Sequence, residues 1–176
     1  MEHVLDVKKL VNELTLEEKA SLCSGADFWH TKAIDRLNIP AAMVSDGPHG
    51  IRKQESLADH MGVAESIKAI GFPTASAMAC SFDRDLLHKV GDALGEECVA
   101  EDLAVLLGPG INMKRSPICG RNFEYYSEDP LLAGRMAGAM TNGVQNVPGC
   151  GTTIKHFACN NQEDNRMGVD VHLSER

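Results

Sequence analysis

A chain of 176 residues with 43% hydrophobic and 24% charged side chains can bury one core and has the composition of an ordinary globular domain. Its formal net charge of −8 argues against a nucleic acid or an anionic membrane surface as partner, since either needs a basic face. No run approaches the roughly 20 apolar residues of a membrane span, and Met1-Glu2-His3-Val4-Leu5-Asp6 lacks the apolar stretch of a signal peptide.

Residues 10–14 and 15–20 read as helical, with Thr15 and Glu18 at capping-box spacing. Residues 41–45, apolar and preceded by Pro40, read as a buried strand. A polar, partly helical excursion over residues 53–71 leads into a second expected strand, residues 72–78. Asp83 is placed to cap a helix reaching Asp102, on the periodicity of Leu86, Leu87, Val90, Leu94 and Val99. A strand at 104–107 follows, then a helix at 130–144 with Asp129 as cap and Pro130 in its first position, then a strand at 152–154. Strands alternating with helices imply an α/β fold with parallel strands and right-handed crossovers. The pattern holds four candidate βα units, half of the closed eight-stranded barrel that takes roughly 250 residues. The six cysteines (Cys23, Cys80, Cys98, Cys119, Cys150, Cys159) contain no C-x-x-C pair. They read as reduced thiols of a cytoplasmic protein, buried as small hydrophobes.

The chemistry sits where the apolar runs end. Met43-Val44-Ser45 leads into Asp46-Gly47-Pro48-His49-Gly50-Ile51-Arg52. Val105-Leu106-Leu107 leads into Gly108-Pro109-Gly110-Ile111-Asn112, and Thr152-Thr153-Ile154 leads into Lys155-His156-Phe157. In α/β proteins ligands are held at the C-terminal ends of parallel strands, so these loops describe one polar site. Asp46 can accept two hydroxyl hydrogen bonds. Arg52, Arg121, Lys155 and Arg166 can donate to oxygens and keep nearby carboxylates ionised. His156 donates or accepts according to its tautomer. Each residue also has a plainer reading. Asp46-Gly47-Pro48 is turn chemistry, Arg121 has Glu124 as a local partner, and Arg166 follows a run of polar loop residues. Asn112 and Glu124 suit loop support, and Trp29, Tyr125 and Tyr126 could stack on a ligand's ring but suit core packing better. Gly108-Pro109-Gly110 lacks the Gly-x-x-x-x-Gly-Lys-Ser/Thr pattern of a phosphate loop.

Five motifs in order resemble the catalytic barrel of glycoside hydrolase family 3: Asp46-Gly-Pro-x-Gly-x-Arg52, Gly108-Pro-Gly-Ile-Asn112, Gly120-Arg-Asn-Phe-Glu124, Ser127-Glu-Asp-Pro130 and Lys155-His156-Phe157. The resemblance runs from Leu14-Thr15-Leu16 to Ser174-Glu175-Arg176. It implies the first half of a TIM-type barrel and the retaining hydrolysis of terminal, non-reducing β-linked sugars in oligosaccharides or simple β-glycosides, with no metal or organic cofactor. Retention uses two carboxyls about 5–5.5 Å apart, one as nucleophile and one as acid/base. By the same resemblance Asp46, Arg52, Arg121, Lys155, His156 and Arg166 line the subsite of the terminal sugar. Ala158-Cys159-Asn160-Asn161-Gln162-Glu163 resembles the β-glucosidase branch rather than the branch that cleaves N-acetylglucosamine. The family's nucleophile is an aspartate in a Ser/Thr-Asp-Trp-like context on a later strand. Here the single tryptophan, Trp29, follows Asp27-Phe28. Both catalytic carboxylates are therefore expected downstream of Arg176, residues 1–176 read as a barrel portion truncated before the nucleophile strand, and the isolated chain is expected to be inactive. The competing reading is a non-catalytic carbohydrate-binding half-barrel. Its open sheet edges would call for a homo-oligomer or a completing polypeptide.

Overall fold

The computed structural model describes residues 6–54 and 65–175, so the centre of the 53–71 excursion and the first five residues lie outside it. Strands β1 (Val44–Asp46), β2 (Val105–Leu107) and β3 (Gly151–Thr152) form one parallel sheet in that order. Val44 lies opposite Val105, Asp46 opposite Leu107, and Val105 opposite Gly151. The Thr153 N–H donates to the Leu106 carbonyl at 2.9 Å and carries the ladder one residue further. All three strands thus end at one rim, where the charged segments begin.

Among the described residues five α-helices accompany the sheet. Helices α1 (Val7–Glu13) and α2 (Leu16–Leu22) precede it, α3 (Ala75–Ala79) and α4 (Arg84–Ala100) join β1 to β2, and α5 (Pro130–Asn146) joins β2 to β3. Local chemistry sets their starts. The Glu18 N–H donates to the Thr15 hydroxyl at 3.2 Å while the Thr15 N–H donates to the Glu18 carboxylate at 2.9 Å, the reciprocal box that the spacing predicts. Asp83 accepts from the N–H groups of Asp85 and Leu86 at 2.9 and 3.0 Å, and Asp129 from that of Leu131 at 2.8 Å, with Pro130 in the first turn. Each cap contributes about 1 kcal/mol.

The core lies between α4, α5 and the sheet. Helix α4 turns Leu87, Val90, Leu94 and Cys98 inward at spacings of three and four, and α5 answers with Ala133, Met136, Ala137, Met140 and Val144. Leu86 and Val99, counted with that stripe in the sequence, are 42% and 46% exposed and lie off it. The two helices approach closely at paired glycines. A Cβ on Gly143 would stand 2.8 Å from the Asp92 nitrogen, and one on Gly91 would stand 2.9 Å from that of Val144. Fully burying Leu87 or Leu94 contributes about 1.5–3 kcal/mol each.

One expected element is corrected. Residues 72–78 do not form a strand: Thr74 accepts the Ala77 N–H at 3.3 Å and starts α3. An Ala-Ser-Ala-Met-Ala run after a capping threonine follows helix propensity, and a short apolar run cannot distinguish a strand from a buried helix by pattern alone. The described residues therefore hold three parallel strands where four were expected. No helix among the described residues is long and apolar enough to cross a membrane. The thiols are free, but only Cys98, Cys119 and Cys150 are buried. Cys23 and Cys80 are exposed, and Cys159 lies between.

Candidate functional site

The chain leaves β1 through a tight return. The Gly50 N–H donates to the Gly47 carbonyl at 3.1 Å and the Arg52 N–H to the Asp46 carbonyl at 3.0 Å. Gly47 has φ +117°, and a Cβ there would meet the Arg52 nitrogen at 2.8 Å, so only glycine closes this turn without strain. The turn reading of Asp46 holds, and the return leaves its carboxylate at the strand end.

A charged cluster crosses the rim. Lys155, which follows β3, reaches Asp46 at 2.7 Å and Glu124 at 3.5 Å. Glu124 is buried at 5% exposure and is also bonded by Arg121. Two cations thus hold one buried carboxylate, and one of them also holds a half-exposed one. Arg121 donates through Nη2 to Nε2 of His156 at 2.9 Å, and Nδ1 of His156 lies 2.6 Å from the Tyr125 hydroxyl. Asn160 continues the chain, donating to the Tyr125 oxygen at 2.8 Å and to Glu163 at 3.1 Å. Asn112 locks this segment in place. Its amide accepts the Asn160 N–H at 2.9 Å and donates to the Asn160 carbonyl at 3.1 Å.

These surroundings set the protonation states. Burial alone would raise the pKa of Asp46, but the hydrogen bond and charge of Lys155, with the Gly47 N–H and the charge of Arg121, hold it below the usual carboxylate range. His156 is pushed down to about 4, first by burial and then by the positive charge of Arg121. Burial lowers His49 as well, and its Nε2 accepts the Ala75 N–H at 2.9 Å, tying the β1 loop to α3. Near neutrality the site presents an ionised Asp46 and a neutral His156.

Asp46, Arg121, Lys155 and His156 line one cleft of about 390 Å³, with Leu107 and Thr153 in its wall. Phe28 and Trp29 form its aromatic side, their rings edge to face at 4.8 Å. They reach the rim because the N-terminal segment runs beside β1, where the Val44 N–H donates to the Trp29 carbonyl at 2.8 Å. Asp27 fixes the bend by accepting the N–H groups of Trp29 and His30 at 2.7 and 2.8 Å. The carboxylate, two cations and imidazole match hydroxyl groups, and the indole matches the apolar face of a ring.

Four of the six sequence-derived residues meet in this cleft. Arg52 and Arg166 are not among its lining residues. The Arg52 main chain is bonded to that of Asp46, and the residue is exposed. Arg166 is bound to Glu163 at 3.0 Å and borders a second, wider hollow of about 820 Å³ with Cys119 and Cys159. The sequence reading underrated three residues. Trp29 faces the cleft rather than the core. Tyr125 is fully buried, as core packing requires, yet its hydroxyl is spent on His156 and Asn160. Phe28 carried no signal, since an aromatic before the first strand has no pattern that points to a rim. Tyr126 does pack in the core, its hydroxyl against the Met140 sulfur. Among the described residues no three His, Cys, Asp or Glu side chains are grouped as metal ligands would be.

Comparisons with known proteins identify the family. Thermostable beta-glucosidase B of Acetivibrio thermocellus is 56% identical over 172 residues, 98% of this chain and 23% of its own length. The exo-alpha-(1->6)-L-arabinopyranosidase of Bifidobacterium longum is 51% identical over 94% of this chain and 22% of its own. Among solved structures, the beta-glucosidase of Kluyveromyces marxianus in complex with glucose superposes with a TM-score of 0.80 at 45% identity, over 92% of this chain and 18% of that one. The GH3 beta-glucosidase of Bifidobacterium adolescentis superposes at 0.79 and 48%, over 94% and 23%. This chain thus spans about a quarter or less of the length of these relatives. The sequence profile of the glycosyl hydrolase family 3 N terminal domain matches residues 11–175. The chain belongs to glycosyl hydrolase family 3, its match falling on the family's N terminal domain.

Proposed function

We propose that residues 1–176 form the first part of a TIM-type barrel and supply the terminal-sugar subsite of a retaining β-glucosidase, whose nucleophile and acid/base lie on polypeptide beyond this segment. The observation that carries this reading is the joining of Asp46 and Lys155 at 2.7 Å in a cleft with Arg121, His156 and Trp29. An ionised carboxylate flanked by obligate donors takes hydroxyls in pairs, each oxygen accepting from the sugar while the neighbouring cation donates to it. Asp46, Arg121, Lys155 and His156 form the heart of the subsite. Arg52, on its motif, and Arg166, on the resemblance alone, stay in the proposed set at its margin. The reaction proceeds with retention through a glycosyl-enzyme intermediate. Six free thiols support a reducing compartment, the cytoplasm. The partner proposed for the outer edge of β3 is further polypeptide of the same protein rather than a second copy, because the relatives are some four times longer.

The test is hydrolysis of an aryl β-glucoside by the 176-residue chain and by a polypeptide extended to the length of its relatives, with an aryl α-L-arabinopyranoside as second substrate. Activity confined to the extended protein is expected. Turnover by the short chain would place a catalytic carboxylate within it and overturn the assignment. Preference for the arabinoside would keep the subsite and change its sugar.

A further inference from the structure

His156 has a partner on each ring nitrogen, and the two ends of its hydrogen-bond chain are groups with fixed roles. A guanidinium can only donate, so Arg121 at 2.9 Å makes Nε2 of His156 an acceptor without a hydrogen. A neutral imidazole must then carry its hydrogen on Nδ1, which lies 2.6 Å from the Tyr125 oxygen. At the far end, the Glu163 carboxylate can only accept, since it also takes Arg166 at 3.0 Å. That turns the Asn160 amide nitrogen toward it at 3.1 Å, and the same nitrogen donates to the Tyr125 oxygen at 2.8 Å. The phenol oxygen therefore receives hydrogens from both sides.

We propose that Tyr125 is a positioning residue for His156, holding the imidazole in its Nδ1–H form so that Nε2 is a hydrogen-bond acceptor in the cleft. Tyr125 is fitted to this work. It is fully buried, its ring stands perpendicular to that of His156 with centroids 5.7 Å apart, and Asn160 behind it is clamped by Asn112. The charged groups around the imidazole, Arg121, Glu124, Lys155 and Asp46, all lie on the Nε2 side of the network or beyond it. None competes for Nδ1. On the reading of the cleft as a sugar subsite, on which this consequence rests, His156 takes the hydrogen of a hydroxyl and does not recognise a carbonyl. In the structure Arg121 fills that acceptor at 2.9 Å, the place a sugar hydroxyl would take. The inference concerns which atoms bear hydrogen, and it needs no sugar and no turnover to be tested.

The experiment is nitrogen NMR of the 176-residue chain labelled at histidine, with the His156 signals identified by their loss in His156→Gln. The expected spectrum shows a hydrogen-bearing Nδ1 and a bare Nε2 at neutral pH. In Tyr125→Phe the Nδ1–H has lost its acceptor, Arg121 alone no longer holds the tautomer, and a population with hydrogen on Nε2 appears. A bare Nδ1 in the unsubstituted chain would overturn the proposal, because Tyr125 would then donate and Arg121 would have to turn away. An unchanged pattern in folded Tyr125→Phe would overturn it equally. If that variant does not fold, 3-fluorotyrosine serves in its place. The chain has only two tyrosines, and a more acidic phenol of nearly the same shape is a weaker acceptor. A shift of the Nδ1 signal of His156 is expected, and none would contradict the proposal. Failure here leaves the β-glucosidase reading standing, and absence of glycosidase activity in the extended protein leaves the tautomer result standing.

Discussion

Lys155 and Asp46 stand 109 positions apart in the sequence and meet at 2.7 Å across the ends of β3 and β1. The parallel sheet brings them together, since three strands ending at one rim must deliver their next residues to the same place. The Lys155 side chain is 14% exposed and that of Asp46 38%, so the contact is shielded enough to set a protonation state and open enough to receive a ligand.

Removing the cation should therefore be costly on two counts. Lys155→Met is expected to destabilise the chain by about 1–2 kcal/mol, below the roughly 3–5 kcal/mol of a fully buried pair because Asp46 keeps contact with water. Urea unfolding measures this, and carboxyl NMR should show the pKa of Asp46 rising toward the ordinary range. An unchanged Asp46 titration would mean that Lys155 does not hold it.

Stability should also depend on pH through His156. Its pKa is about 4 in the folded chain against 6.5 for an unperturbed histidine. Between these values the unfolded chain binds a proton that the folded one refuses, so the contribution is complete above pH 6.5 and is lost as the pH falls toward 4. Asp46 acts lower down. Its carboxyl is held below its ordinary value of 3.8, so its contribution survives until the pH falls through its folded pKa. Urea midpoints should fall with pH through the upper window, and His156→Gln should flatten that fall. A variant with the full slope would assign the dependence to another group.

The close passage of α4 and α5 offers a test away from the site. Gly143→Ala places a methyl group against the backbone of α4 and is expected to cost about 1–3 kcal/mol by urea unfolding, as overpacking does. A loss under about 0.5 kcal/mol would show that the helices separate freely.

How much of this could be read in advance follows from the physics of each signal. The caps at Thr15, Asp83 and Asp129 and the long helices are local, and the sequence predicts them to within a few residues. Residues 72–78 misled because a short apolar run has no period, and Thr74 decided in favour of a helix. Of the residues lining the cleft, Asp46, Arg121, Lys155 and His156 were legible as candidates because each follows an apolar run or sits in a motif. Arg166 belongs to none of the motifs and lies against Glu163, outside the cleft lining. Trp29 was legible only as the lesser alternative to core packing, and the hydroxyl of Tyr125 was not legible. Their roles depend on what the fold sets beside them, the edge of β1 for one and His156 for the other.

The most direct test of the sugar subsite is the effect of Asp46→Asn on hydrolysis of an aryl β-glucoside by the extended polypeptide, with folding checked by urea unfolding. Hydrogen bonds to a charged group are worth about 1.5–3 kcal/mol each, so losing the charge across two hydroxyls should lower kcat/KM on the order of 10²-fold or more. Unchanged kcat/KM in the folded variant would contradict the account, because the carboxylate at the end of β1 would then hold no sugar.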